Sequence, residues 1–145
     1  MKILTVLTLV LSFNLFAHDE GHGPAVTDES MQGGKVTAII DYKQVNDGRK
    51  AEMLYKGELV IEGLDVKLFI FDKKMKEVPL DQFSKIVTAV QLERGKQSKF
   101  KLTLDESKKF YSGKREKNKR VPYNIDVKVK KGDRTLFGAF DGLDK

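Results

Sequence analysis

Short apolar runs with a period of two dominate the chain from Gly33 onward. In one of the clearest, Phe100, Leu102 and Leu104 alternate with lysine and threonine side chains. Because successive side chains of a strand point to opposite faces, this alternation predicts strands with one apolar face and one solvated face. Turn residues separate the runs at intervals of roughly ten residues, as is typical of antiparallel all-β domains. We therefore predict an Ig-like antiparallel β-sandwich of about seven or eight strands.

Glycine, asparagine or aspartate residues lie at the ends of most of the predicted strands. The runs are Lys35–Tyr42, Ala51–Glu62, Leu64–Asp72, Ile86–Glu93, Lys99–Leu104, Tyr123–Lys130 and Thr135–Phe140. The Asn46-Asp47-Gly48 sequence between the first two runs predicts a tight turn. Phe69 and Phe71 make the second face of Leu64–Asp72 apolar as well, so this run is predicted to be the central strand.

The segment before the fourth run fits two structures. Leu80, Phe83, Ile86, Val87 and Val90 are spaced as on a helix, and a helix across 81–93 would change the fold class to α+β. The β-branched residues after Ser84 favour a strand instead. We predict a short helical turn at Leu80–Phe83 followed by a strand.

The amino terminus resembles an export signal. Lys2 precedes the apolar run Ile3–Phe16, and Ala17 is a small residue suited to signal-peptidase cleavage. The run is too short for a typical membrane span of ~20 residues, although an uncleaved anchor is the alternative. We predict a signal peptide over residues 1–17, a periplasmic or secreted mature protein and no membrane span in that mature protein. Residues 18–32 are predicted to form a flexible, disordered tail, and residues 33–145 to form the β-sandwich domain.

The amino-acid composition excludes several kinds of functional site. The chain has no cysteine, which excludes disulfides, thiolate metal sites and a thiol nucleophile, and both of its histidines lie in the tail. Its formal net charge is +6, and export makes a nucleic-acid partner improbable. Aspartates at the ends of strands usually form turns and seldom act as catalytic acids. The aspartates at strand or strand-end positions are Asp41, Asp65, Asp72, Asp126 and Asp141. We predict a monomeric binding or accessory protein without catalytic activity, with a hydrolase as the weakest alternative.

The tail contains the first candidate binding site. After cleavage, His18 would offer its α-amine and imidazole, and His22, Asp19 and Glu20 lie close enough in sequence to complete a metal site. Nitrogen-rich ligand sets suit Cu(II) first and Zn(II) less well. Binding requires loss of the amine proton, which competes with an α-amino pKa of about 7.7 to 8.0. The alternative is a solvated tail that binds no metal.

A basic stretch provides the second candidate. Its charged surface would consist of Lys114, Arg115, Lys117, Lys119 and Arg120. Such a surface could hold a protein partner or an anionic surface of the cell envelope by Coulomb attraction that salt screens. The alternative is an exposed connection whose like charges keep an edge strand from pairing with another molecule.

Three β-rich motifs resemble a known family. GGKV at Gly33–Val36, YKGELV at Tyr55–Val60 and LDVKLFIFDKKMKEVP at Leu64–Pro79 follow a His- and Gly-containing tail. This arrangement resembles the small β-domain near the amino terminus of periplasmic adaptor subunits of heavy-metal efflux systems, over roughly Gly21 to Leu104. The adaptors continue through hairpin, lipoyl and barrel segments that have no counterpart in these 145 residues. The resemblance implies an Ig-like sandwich, a link to copper or related metals and a metal-efflux or envelope protein as partner.

Overall fold

The computed structural model describes residues 23–27 and 29–144. Eight antiparallel strands make up most of this part of the chain. They are β1 (Lys35–Asp41), β2 (Met53–Glu62), β3 (Asp65–Phe71), β4 (Ile86–Glu93), β5 (Lys96–Leu104), β6 (Tyr111–Lys114), β7 (Tyr123–Lys131) and β8 (Arg134–Leu143). Two 3-10 segments, Tyr42–Lys50 and Leu80–Gln82, connect β1 to β2 and precede β4. No helix in this part of the chain is long and apolar enough to cross a membrane.

The strands form a closed barrel in the order β1-β2-β3-β6-β5-β4-β7-β8. The last strand closes the barrel because it pairs with β7 along one side and with β1 along the other, where Ile39 lies opposite Gly138. The prediction of an Ig-like β-sandwich was therefore wrong, although the all-β class and the antiparallel strands were right. Alternation of apolar and polar residues arises wherever a sheet has one buried face, so it does not distinguish a sandwich from a barrel.

Strand β6 explains most of this error. Its residues Tyr111–Lys114 lie where no strand was predicted, at the start of the basic stretch, but they pair with β3 on one side and β5 on the other. Without β6 the sheet would be open between those two strands. Gly113 allows close approach here, because a Cβ at this position would lie 2.3 Å from the Lys101 carbonyl oxygen.

The barrel interior is filled by side chains from every strand. Leu59, Leu68, Leu102, Ile125 and Phe140 are each at most 1% exposed within this core. Gly57 and Gly138 leave room for Ile39, since a Cβ on either would lie within 2.8 Å of its Cδ1 atom. Small barrels filled in this way leave little interior space for a ligand, so the ends and outer face of the barrel are where a ligand would bind.

The outer face carries a second, smaller apolar cluster. Its buried members are Ala38, Ile40, Ala51, Phe137 and Ala139. The 3-10 segment Tyr42–Lys50 covers part of this cluster through Val45, and Val26 of the amino-terminal segment packs against it. Asp41 begins that 3-10 segment by accepting a hydrogen bond from the Lys43 amide. Asn46, Asp47 and Gly48, where a tight turn was predicted, lie within the 3-10 segment, and Gly48 interrupts its helical geometry with a φ of 55°.

The ambiguous segment before β4 has the structure that we favoured. Leu80–Gln82 is one 3-10 turn, Leu80 and Phe83 are buried, and β4 begins at Ile86. Two hairpins follow, in which Arg94 and Gly95 join β4 to β5 and Gly132 and Asp133 join β7 to β8. Gly132 has a φ of 58°, which favours glycine at this turn.

Candidate functional site

A pocket of about 530 Å³ opens at the end of the barrel where the turn Leu80–Gln82 lies. We call it the mouth pocket. Its lining consists of Leu54, Tyr55, Lys73, Gln82, Lys131, Gly132, Arg134 and Leu136. Three of these side chains are cationic and none is a carboxylate, so the lining combines positive charge with two apolar leucines. Its size falls in the range of ordinary small-molecule sites, roughly 300 to 1,000 Å³.

The alternation of the strands brings the charged residues to this pocket. On β7, Val127 and Val129 are buried in the barrel core, and Lys131 occupies the next inward position at the rim. On β8, Leu136 is buried and Arg134 holds the corresponding position two residues earlier. Lys131 and Arg134 are direct partners in the β7–β8 ladder. Their cationic side chains therefore stand beside each other at the mouth of the barrel, an arrangement that is unfavourable in the absence of an anion.

Lys131 is held by aromatic and hydroxyl groups rather than by an acid. Its ammonium group donates a hydrogen bond to the Tyr55 hydroxyl. It also lies 5.1 Å from the centre of the Tyr55 ring and 5.4 Å from that of Phe83, within the range of cation–π attraction. Among the described residues, no carboxylate lies within 4.0 Å of this nitrogen. The positive charge of Lys131 is therefore not neutralised by an ion pair in the described structure.

The other two cations each have an acidic partner near the outer limit of the ion-pair distance. The Lys73 Nζ atom lies 3.7 Å from Glu52, and the Arg134 Nε atom lies 4.0 Å from the Asp41 carboxylate. The Lys73 and Arg134 side chains are 54% and 68% exposed. Ion pairs in such settings contribute about 0 to 1 kcal/mol, so an entering anion could replace them at little cost.

Residues 80–84 form a plug at this end of the barrel, and the plug contacts the pocket lining through Gln82 and Tyr55. Leu80 and Phe83 fill the barrel end, and the Phe83 ring packs edge-on against Tyr55 at 5.4 Å. The Tyr111 hydroxyl donates a hydrogen bond to the Ser84 carbonyl at 2.9 Å, and the Ser84 amide donates to the Lys130 carbonyl at 2.8 Å. The Tyr111 phenol is a donor at neutral pH, and burial raises its pKa further, to about 12. The plug is thus joined to both β6 and β7.

The residues of the predicted metal site, His18, Asp19, Glu20 and His22, lie outside the described residues. Within residues 23–27 and 29–144, no group of three or more His, Asp or Glu side chains is placed to hold one metal ion. The copper site therefore stays a prediction from the sequence. The part of the predicted flexible tail that the structure does describe contacts the barrel, since the amides of Met31 and Gln32 donate hydrogen bonds to the Glu58 carboxylate.

Arg115, from the predicted basic surface, is a buried structural residue. It is 6% exposed, and its guanidinium lies 5.0 Å from the centre of the Tyr123 ring. Its Nη1 atom donates hydrogen bonds to the Glu116 carbonyl and the Asn118 side chain, at 3.0 and 2.9 Å. Arg115 thus does not contribute to an exposed charged surface.

The other members of that basic surface, Lys114, Lys117, Lys119 and Arg120, are exposed. The chain around them is tied to the β4–β5 hairpin, because Glu116 accepts hydrogen bonds from Lys96 and Ser98, both at 2.9 Å. The hydrogen bond from Lys96 lowers the pKa of the Glu116 carboxyl below its usual value. Four cations therefore remain for the predicted surface, on a loop with a defined structure.

The strand-end aspartates include clear turn formers, as the sequence predicted. Asp72 accepts backbone hydrogen bonds from Lys74 and Lys76, at 2.8 and 2.9 Å. The bond from the Lys76 amide lowers the pKa of this carboxyl. Asp65 lies 3.8 Å from the exposed Lys114 amine. Asp72 therefore stabilises the turn after β3, and Asp65 forms an exposed ion pair.

The mouth pocket was not predicted from the sequence, although the alternating residues of β7 that lead to Lys131 were visible there. Ile125, Val127 and Val129 alternate with polar residues in the sequence, and Lys131 is the next position in the same row. Gly132 and Asp133, which follow Lys131, indicate a turn and not a binding site. The pairing of Lys131 with Tyr55 joins residues 76 positions apart, and no local pattern could have indicated it.

No protein-family model, curated protein or solved structure matches this chain. The resemblance to the adaptor β-domain therefore stays a prediction, and the function has to be argued from the geometry of the described residues.

Proposed function

We propose that this chain is an exported binding protein, without catalytic activity, that holds a small anionic ligand in the mouth pocket of its barrel. The observation that carries the proposal is the Lys131 ammonium group, which faces the pocket with no carboxylate partner among the described residues. Charged groups on proteins are usually paired or fully solvated, so an unpaired ammonium inside a concave site is best suited to an incoming anion.

The neighbouring groups support the same ligand class. Arg134 offers a planar fork of donors that matches an anion with two or more oxygens, and it stands directly opposite Lys131 in the ladder. The Tyr55 hydroxyl and the exposed Gln82 amide add neutral hydrogen-bonding groups to the lining. Donors of this kind bind and orient an anion, and the lining contains no carboxylate or histidine to act as a general base.

The rigid plug also favours binding over large conformational change. Tyr55 in the pocket lining packs against the buried Phe83, and the hydrogen bonds of Ser84 hold this segment in place. A site that is already formed loses less conformational entropy when its ligand binds. We therefore expect binding to shift the signals of the pocket residues and to leave the rest of the barrel unchanged.

The proposal is tested by NMR titration of the full chain with small organic anions at low ionic strength. Titration with benzoate and with phenyl phosphate should shift the amide signals around Lys131 and Arg134, and added salt should weaken binding. Lys131→Gln should reduce the affinity roughly tenfold, because a charge-assisted hydrogen bond is lost. Lys101→Gln is the matched control, since Lys101 is an exposed lysine of β5 outside the pocket. Shifts that are absent, or that survive unchanged in Lys131→Gln, would contradict the proposal.

A further inference from the structure

We infer that the ligand of the mouth pocket is a soluble phosphate monoester rather than a carboxylate. This inference rests on the proposed function, because it assigns the chemical class of the same ligand. Three features of the lining lead to it: the total positive charge, the number of donors and the apolar wall.

The charge of the lining exceeds what a single carboxylate would neutralise. Lys73, Lys131 and Arg134 supply three positive charges in the lining of one pocket. Glu52 and Asp41 are not part of that lining, and they lie 3.7 and 4.0 Å from Lys73 and Arg134. A carboxylate brings one negative charge. A phosphate monoester brings about −1.5 to −2 at neutral pH, which matches the excess more closely.

The donors are also too many for two oxygen atoms. The Lys131 ammonium uses one hydrogen on Tyr55 and retains two, and the Arg134 guanidinium can present a bidentate fork. Lys73 and Gln82 add further donors on the other side of the pocket. A phosphate monoester has three terminal oxygens, each able to accept more than one hydrogen bond, whereas a carboxylate has two.

The apolar residues indicate an organic group on the phosphate. Leu54 and Leu136 form part of the lining, and the volume of about 530 Å³ is larger than inorganic phosphate alone would need. We therefore expect the organic part of the ester to contact the leucines while the phosphate group contacts Lys131 and Arg134.

Titrations with phenyl phosphate, benzoate and inorganic phosphate separate these possibilities. Phenyl phosphate should bind at least about tenfold more tightly than benzoate, which carries the same ring and one fewer negative charge. It should also bind more tightly than inorganic phosphate, because only the ester contacts the leucines. Equal or tighter binding of benzoate would overturn the inference while leaving the proposed function intact. Binding of none of the three would overturn both.

A pH series provides a readout that depends on the phosphate itself. The second proton of a phosphate monoester is lost with a pKa of about 6, so the affinity for phenyl phosphate should rise severalfold between pH 5 and pH 7.5. Benzoate is already ionised over this range, and its affinity should change far less. Parallel pH profiles for the two ligands would contradict the inference.

Variants of Arg134 test the geometry without endangering the fold, since this side chain is 68% exposed. Arg134→Lys keeps the charge and removes the planar fork, so it should weaken phenyl phosphate binding by roughly tenfold. Lys101→Gln should bind as the unaltered protein does. Unchanged binding by Arg134→Lys would contradict the assignment of a phosphate group to this pair of cations.

Some lipid headgroups also carry a phosphate monoester. A further binding experiment therefore uses vesicles that contain phosphatidic acid. The concave shape of the pocket favours a soluble ester over a planar surface. We expect phenyl phosphate to compete with any vesicle binding, and its own binding to persist without vesicles. Retention on the vesicles without binding of phenyl phosphate would overturn the inference of a soluble ligand.

Discussion

The Glu58 carboxylate accepts a hydrogen bond from the Gly34 amide at 2.9 Å, which fixes the entry of the chain into β1 on the outer wall of the barrel. The amides of Met31 and Gln32 donate to the same carboxylate, at 2.9 and 2.8 Å. Glu58 is completely buried, so these three amides replace the water that a charged group would otherwise require. Gly34 is needed at this contact, because a Cβ there would lie 2.4 Å from the Leu59 carbonyl oxygen.

Replacing this carboxylate should destabilise the barrel. In Glu58→Gln, the side chain keeps one acceptor oxygen and turns an NH₂ group toward backbone amides that need an acceptor. We expect the free energy of unfolding to fall by about 1 to 3 kcal/mol, measured by urea denaturation. Glu62→Gln is the matched control on the same strand, because Glu62 is exposed and its Lys67 partner lies 3.9 Å away. Its effect should stay within about 0.5 kcal/mol, and equal losses in the two variants would contradict this role for Glu58.

The hydrogen bond from Tyr111 to Ser84 predicts a pH dependence of stability. Burial raises the pKa of Tyr111 from 10.0 to about 12, so the phenol ionises more readily in the unfolded chain than in the folded one. The folded state then binds more protons above pH 10, and stability must fall as pH rises from 10 toward 12. Below pH 10 this contribution is fully present.

Tyr111→Phe isolates that contribution. At pH 8 the variant should be less stable by about 1 kcal/mol, because the Ser84 carbonyl loses its donor. Between pH 9 and pH 11.5 its stability should fall less steeply than that of the unaltered protein, as measured by denaturant unfolding at each pH. Parallel pH profiles for the two proteins would show that the Tyr111 phenol does not cause the slope.

The sequence predicted strands better than it predicted how they join. The inward row of β5, with Phe100, Leu102 and Leu104, followed from alternation. The turn at Leu80–Phe83 followed from the β-branched residues after it. Closure of the barrel depended on β6, which has four residues and a lysine at its end. So short a strand gives no periodic signal, and its pairing with β3 and β5 depends on contacts distant in sequence.

The candidate sites, like the fold, could be predicted only where local sequence was sufficient. Charge alone indicated the basic stretch, but it could not show that Arg115 turns inward onto Tyr123 while its neighbours remain exposed. The mouth pocket joins residues of β2, β7 and β8 with the turn before β4, so it exists only once the barrel is closed. A local sequence pattern can predict the inward face of each strand and cannot predict which faces meet at one end.

The different settings of Arg115 and its neighbours predict different effects of mutation. Arg115→Met would remove the stacking on Tyr123 and the hydrogen bonds to Glu116 and Asn118. We expect a loss of about 2 to 4 kcal/mol in the free energy of unfolding, measured by urea denaturation. Lys117→Met, at an exposed position two residues away, is the control and should change stability by less than about 0.5 kcal/mol. Similar losses in both variants would contradict the structural role of Arg115.

The exposed cations of this stretch allow the envelope-surface hypothesis to be tested without disturbing the fold. A variant in which Lys114, Lys117, Lys119 and Arg120 are changed to glutamine keeps the buried Arg115. If this loop holds an anionic surface, the unaltered protein should be retained on anionic vesicles at low salt and released at high salt, because salt screens such attraction. The four-site variant should then lose most of its retention in a sedimentation assay. Equal retention of the two proteins would exclude this loop as the binding surface.

The amino-terminal copper hypothesis makes a separate prediction about the mature chain. If cleavage occurs after Ala17, His18 offers both an α-amine and an imidazole, which together can chelate one Cu(II) ion. Protein that begins at His18 should bind Cu(II) more tightly than the same protein with an acetylated amino terminus, because acetylation removes the amine from the chelate. The affinity should rise between pH 6 and pH 8 as the amine, whose ordinary pKa is about 7.7 to 8.0, loses its proton. Calorimetric titration of the two proteins measures this difference, and Cu(II) binding no tighter than that of free histidine in both would exclude the site.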